Sequence, residues 1–334
     1  MGALQPPLFT ITAEELLADL EAGRSRPLVP SDAGWSLRPR PRPAVDSLRS
    51  RSLWLAARGL GRLHPRLARR ALSGLWFTPW VHPTALASTR LPARFVPWSQ
   101  PTAEGELHGY AGGHGPTAVL VHGWAGRAAD WRHLADDLVA DGWRVVVPDL
   151  PAHGTSPGRR TDLYALARAF AAVLAAERPA AVVAHSMGFP VTLLALEHGA
   201  PEPRRLVAIA PGRKVERVVA AFARRMAFRG RLADELGRLL EARFGSGVWD
   251  TLDVDRVVPG LRAAGLVVHD HDDDEVPLAD GRAIAAAWPD ARLAVTAGLG
   301  HRRILRDEGA RAVVAAHLAG ATLGVADDPV VLSA

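Results

Sequence analysis

A mostly parallel α/β sheet with helical crossovers is the fold class the sequence predicts, and three observations carry it. Beyond Pro92, short β-rich segments alternate with amphipathic helical patterns, the rhythm of strand, crossover and strand. Hydrophobic residues make up 48% and charged residues 22% of the 334, enough apolar content for a large core. An apolar run ending at Ala184 passes through His185-Ser186-Met187-Gly188 directly into a helical pattern, so a strand must turn abruptly into a helix there.

Taken in order, residues 1–44 precede that rhythm. Thr12 to Leu20 reads as a short helix, with Thr12 and Glu15 spaced as a capping box. Residues 27–44 are rich in proline and arginine and read as an extended linker. From Val45 to Leu75, leucine, alanine and tryptophan recur at helical spacing among arginines, which predicts two amphipathic helices parted by Pro65. Eight strands are expected near 94–97, 106–110, 117–121, 144–147, 180–184, 205–209, 265–269 and 292–296. Flanking helices are expected over 130–140, 162–176, 187–197, 278–287 and 308–318. Residues 213–244 carry two arginine-rich amphipathic stretches around Gly230, a small helical lid set between the sixth and seventh strands within 212–256. The chain thus divides into an N-terminal segment and linker over 1–44, a basic helical extension over 45–92, an α/β domain over 93–319 and a tail over 320–334.

Forty Lys+Arg against 35 Asp+Glu give a formal charge of +5, and the excess is local: residues 38–94 hold twelve arginines and one acid, Asp46. Lys214 is the single lysine, so the arginines reflect overall composition rather than selection for phosphate. No zinc-finger spacing or aromatic RNA-binding pattern accompanies them, and nucleic acid is not an expected partner. The basic helices read as faces packed on the main domain with solvated arginines; peripheral contact with an anionic membrane is the alternative. The absence of cysteine excludes disulfides, thiol catalysis and cysteine-ligated metals. Glu14, Glu15 and Asp19 stand where a secretory signal needs a basic start and an apolar run, and the longest apolar stretch, Ala181 to Leu196, is too short to span a bilayer. A cytoplasmic protein, at most peripheral to a membrane, is expected.

The strand-to-helix turn places Ser186 at a helix N-terminus, exposed above the sheet, where its hydroxyl can act as a nucleophile. The backbone N–H of Met187 then points at a developing oxyanion, and the turn His122-Gly123-Trp124-Ala125-Gly126, at the end of another strand, supplies a second donor from Trp124. Trp124 is also expected to wall the substrate pocket, and His185 and Phe189, on either side of the nucleophile, to border the substrate, with His185 packed against the turn. His122 reads as a structural histidine. Serine needs a base, and His301, in the loop after the last expected strand, is placed to be one. The base needs a carboxylate, and Asp270, Asp272, Asp273 and Asp274 compete for that role after the penultimate strand. The cluster His269 to Glu275 could instead ligate a divalent metal, but an acidic loop with one orienting aspartate accounts for it more simply, and no metal is expected.

These motifs resemble the α/β-hydrolase superfamily, specifically its bacterial serine hydrolases of the esterase and lysophospholipase-like branch, over about residues 93–319. The chain order Ser186, aspartate, His301 is that of the superfamily, and Ala184 replaces the first glycine of its G-x-S-x-G elbow. In such relatives the acid sits three residues after a glycine and three before a Val-Pro pair. Asp270 occupies the glycine position and Val276-Pro277 matches, so the resemblance implies Asp273, with Asp272 second. Asp149 to Ser156 is similar to the family's D-x-x-G-x-G-x-S loop, with Ala152 for a glycine. Haloalkane dehalogenases and epoxide hydrolases share the architecture but use an aspartate nucleophile, against which Ser186 argues. The resemblance implies a serine hydrolase that cleaves a small-molecule carboxylic ester, of small acyl or lipid type, through an acyl-enzyme and without a cofactor. A membrane-peripheral enzyme resembling lysophospholipases or monoacylglycerol lipases, and a binding module that has lost turnover, are the alternatives.

Overall fold

The computed structural model describes residues 28–29, 36–37, 65–79, 91–225, 231–251, 253–320 and 330–332. Eight strands follow one another as β1 (Val96–Thr102), β2 (Gly105–Gly112), β3 (Thr117–Val121), β4 (Arg144–Pro148), β5 (Ala181–His185), β6 (Arg205–Ile209), β7 (Ala264–Asp270) and β8 (Ala291–Thr296). A ninth, β9 (Val330–Leu332), which the sequence did not suggest, pairs parallel with β8 at the edge. The order across the sheet is β9-β8-β7-β6-β5-β3-β4-β2-β1. The β1–β2 hairpin joins β4 antiparallel, and every other pairing is parallel.

Strands covered on both faces show no polar alternation, and all five residues of β5 are buried. The edge strand β1 differs. It tolerates Pro97 and Pro101 because one side of its backbone has no strand to bond, and those prolines hid all but its start from the sequence pattern.

Helices α2 (Arg132–Ala140), α3 (Leu163–Glu177), α4 (Gly188–Glu197), α7 (Leu278–Ala287) and α8 (Glu308–Ala319) cover the sheet. One core lies under α3, α4 and α7, with Leu166, Phe170 and Leu174 of α3 at i, i+4 and i+8 against Phe189, Leu193 and Ile284. The other lies under α2 and α8, where Leu134 and Leu138 meet Val314 and Leu318 on the opposite side of β3, β5, β6 and β7. Each such side chain fully withdrawn from water contributes about 1.5–3 kcal/mol before conformational entropy is set against it. The Asp162 carboxylate caps α3 by accepting from Ala165 N–H, and Gly320, at φ 83°, ends α8 in the left-handed region.

The expected lid is present between β6 and β7 as α5 (Val215–Arg225) and α6 (Arg231–Phe244), with Gly230 outside the described residues. Its start is stapled to the chain that returns to the sheet. Arg213 makes two hydrogen bonds of 2.6 Å to the Asp255 carboxylate, and Lys214 pairs with Asp253. Ahead of the sheet, α1 (Pro65–Trp76) lies against the lid, burying Leu72 and Phe77 among Val219, Leu236, Leu239 and Leu240. The expected helix over Thr12 to Leu20, and the one preceding Pro65, fall outside the described residues. Within the expected linker, Leu28–Val29 and Ser36–Leu37 form a two-residue antiparallel pair. Among the described residues no helix is long and apolar enough to cross a membrane.

Candidate active site

The carboxyl ends of β3, β5, β7 and β8 bring the sequence motifs to one edge of the sheet. Ser186 follows β5 with φ 51°, a left-handed conformation that costs a non-glycine residue roughly 1–2 kcal/mol and lifts its side chain off the sheet. Its N–H donates to Ile209 O at 2.8 Å, which fixes the turn against β6. The turn is tight because α4 starts almost on top of β3. A Cβ on Gly188 would lie 2.7 Å from Val121 O, so glycine is required there.

Three side chains, two from loops and His301 from the short helix Gly300–Arg303, form one hydrogen-bonded line. His301 Nε2 is 3.0 Å from Ser186 Oγ, and His301 Nδ1 is 2.7 Å from Asp273 Oδ2. In a neutral imidazole one tautomer satisfies both contacts with a carboxylate and a hydroxyl: Nδ1–H donates to Asp273, and Nε2 accepts from Ser186 Oγ–H. The Asp273 carboxylate is fully buried, and its Oδ1 accepts from the N–H groups of Glu275 and Val276, each at 2.9 Å.

The neighbouring acids point elsewhere. Asp272 Oδ2 accepts from Gly298 N–H, and Asp274 borders the cavity described below. Asp270 is a brace that the sequence did not reveal. Its fully buried carboxylate accepts from Asp272 N–H, Gly300 N–H, Leu299 N–H and the Thr296 hydroxyl at 2.7–3.1 Å, tying the end of β7 to the segment that carries His301. His269 is buried behind Asp273 with Nε2 on Val276 O, whereas the His271 ring turns to Asp272, so the two histidines do not converge.

Among the described residues the N–H groups of Trp124 and Met187 donate to no protein acceptor, and both residues line the cavity with Ser186. His122 holds the first of these turns from below: its Nδ1–H donates to Gly123 O, and its Nε2 accepts from Leu150 N–H. Asp149 braces the adjoining loop by accepting from Ala128 N–H and from the N–H and hydroxyl of Thr155. Ala152, in the expected glycine position, keeps the left-handed conformation at φ 64°.

Two sequence expectations are corrected. Phe189 does not border the cavity: its ring is wholly buried and stacks on Trp288 at 5.8 Å, because its position on α4 faces the sheet. His185 likewise faces inward, and its Nε2–H donates to the backbone carbonyl of His301 at 2.9 Å. It supports the candidate base and is walled off from the substrate space.

Ser186, His301, Trp124 and Met187 open on a cavity of about 520 Å³. Its remaining walls are largely apolar and include Val218, Phe222, Leu240 and Phe244 of the lid. Arg213, Lys214 and Asp162 also reach it, each held by an opposite charge.

Burial lowers the pKa of His122, His153, His185, His269 and His317; for His153, burial and then the neighbouring His122 push it down to about 3. Each of these rings binds a proton more readily in the unfolded chain than in the folded one. The stability they confer is complete above the ordinary histidine value of 6.5 and is lost as the pH falls below it, for His153 toward about 3. For His153 alone the loss between pH 7.5 and 5 is on the order of 2 kcal/mol. Thermal melts are expected to show a fall of more than about 5 °C over that interval. A melting temperature that is flat from pH 7.5 to 5 would contradict the burial of neutral imidazoles.

The model of the alpha/beta hydrolase family matches residues 118–316. A pimeloyl-acyl-carrier-protein methyl ester esterase of Xanthomonas axonopodis pv. citri is 30% identical, over 58% of this chain and 90% of its own length. Among solved structures, an esterase from Rhodococcus sp. ECU1013 superposes with a TM-score of 0.53 at 21% identity, covering 68% of this chain and 99% of its own. An esterase from Pyrococcus furiosus superposes with a TM-score of 0.55 at 17% identity, covering 73% and 97%. At such identities the structures speak for the fold alone, and the sequence matches carry the kinship. The chain belongs to the alpha/beta hydrolase family, where its relatives are carboxylic ester hydrolases.

Proposed function

We propose that this protein is a serine hydrolase that cleaves an uncharged, largely apolar carboxylic ester through an acyl-enzyme on Ser186. The observation that carries this reading is the hydrogen-bonded line from Asp273 through His301 to Ser186, opening on an apolar cavity. His301 Nε2 takes the Ser186 hydroxyl proton as Oγ attacks the ester carbonyl. The N–H groups of Trp124 and Met187 hold the oxygen that becomes negative, in a site where they need no reorganisation. Asp273 keeps His301 in the productive tautomer and offsets the charge of the imidazolium. The tetrahedral intermediate collapses as His301 Nε2–H protonates the departing alkoxide. A water, deprotonated by the same nitrogen, then attacks the acyl carbonyl and frees Ser186.

The cavity's walls favour an apolar arm on the ester, and relatives named for cleaving a methyl ester are in keeping with this chemistry. A panel of p-nitrophenyl esters tests the reading: saturable hydrolysis is expected. No turnover of any ester by well-folded protein would favour a scaffold that binds without reacting.

A further inference from the structure

We propose that Trp76 and Phe77, contributed by chain that precedes the α/β domain, are specificity-determining residues that grip the apolar arm of the ester. This inference rests on the function proposed above and adds the residues that select the substrate. Both side chains line the same cavity as Ser186 and His301, yet they stand well ahead of the family match, which begins at residue 118. This stretch therefore supplies a wall to a site whose chemistry belongs to another part of the chain.

The wall is held in place by several independent contacts. Leu72 and Phe77 are buried against Leu236 and Leu240 of the lid. The Trp76 ring meets Phe222 edge-on at 5.0 Å, and Phe77 meets Phe244 at 6.1 Å. Thr161 N–H donates to Phe77 O at 2.9 Å, which fastens the backbone to the start of α3. The Arg243 guanidinium lies 4.8 Å from the Phe77 ring centroid and 5.2 Å from that of Phe244, while its Nη2 donates to Asp162 at 2.9 Å. Aromatic rings fixed in this way offer contact area that costs little further ordering when a chain slides against them.

Charge points the same way. The cations that reach the cavity, Arg213 and Lys214, are engaged by Asp255 and Asp253, while Asp274 makes no ion pair among the described residues. Among the described residues a chain ending in a carboxylate would thus meet an acid and no available cation, whereas an alkyl or aromatic chain would meet the rings.

The test uses the full chain with p-nitrophenyl acetate and octanoate, and with methyl and octyl acetate to cover the alcohol side. Phe77→Leu is expected to lower the long-over-short ratio of kcat/KM about tenfold in at least one series, the scale of a lost hydrophobic contact in a pocket. Trp76→Phe keeps an aromatic edge on Phe222, guards against a folding defect, and is expected to lower the ratio about threefold or more. Ratios within twofold of wild type for both variants, with unchanged melting temperatures, would overturn the inference. Ser186→Ala is assayed alongside: wild-type turnover that does not depend on Ser186 ends the functional reading and this inference with it. Ser186-dependent turnover with unchanged ratios ends the inference alone.

Discussion

Replacing Ser186 with alanine is expected to lower kcat on a carboxylic ester by about 10⁴-fold or more, with the fold intact. Alanine removes the Oγ that lies 3.0 Å from His301 Nε2 and leaves nothing to carry the acyl group. The N–H groups of Trp124 and Met187 and the apolar walls would still bind the ester, so KM is expected to change far less than kcat. Residual hydrolysis would come from water activated in the same cavity. Purified Ser186→Ala that kept most of the wild-type rate would remove the acyl-enzyme from the account.

Asp273→Asn is expected to cost about 10³–10⁴-fold in kcat, since a carboxamide can turn its N–H toward His301 Nδ1 and favour the tautomer with the proton on Nε2. That tautomer cannot accept from Ser186. Three neighbouring acids provide the contrast. Asp272 and Asp274 do not touch His301, and Asp272→Asn and Asp274→Asn are expected to stay within about tenfold of wild type. Asp270→Asn should act chiefly on stability. Its carboxylate satisfies four donors, two of them N–H groups at residues 299 and 300, and a buried donor left unmatched costs about 1–3 kcal/mol. Melting curves beside kcat separate these cases. If Asp272→Asn is crippled while Asp273→Asn turns over normally, the assignment of the acid is wrong.

Much of this arrangement is legible in the sequence, and the exceptions have physical reasons. Ser186 and His301 were legible because each follows a strongly apolar strand, and a parallel sheet sends the ends of all such strands to one edge. Asp273 was harder, with four aspartates in five residues; only the family resemblance, which sets the acid three residues before a Val-Pro pair, selected it. Phe189 was misplaced because adjacency to the nucleophile in sequence does not say which face of α4 a residue occupies. His185 was misplaced for the converse reason: its partner is the backbone carbonyl of His301, and carbonyls carry no sequence signal. Three of the four donors to Asp270 are backbone N–H groups, two of them at residues 299 and 300, and are invisible in the same way. Trp76 and Phe77 lie just past the expected helical stretch that ends at Leu75, and their meetings with Phe222 and Phe244 of the lid are tertiary.

The central claim is that Ser186 is an activated nucleophile, and the most direct test is covalent. The protein is incubated with a fluorophosphonate, which phosphonylates activated serines, and then read by intact mass and peptide mapping beside Ser186→Ala. One adduct per chain, on the peptide containing Ser186 and absent from the variant, is the predicted result. A folded wild-type protein that takes up no probe, or that is labelled equally in the variant, would contradict the account.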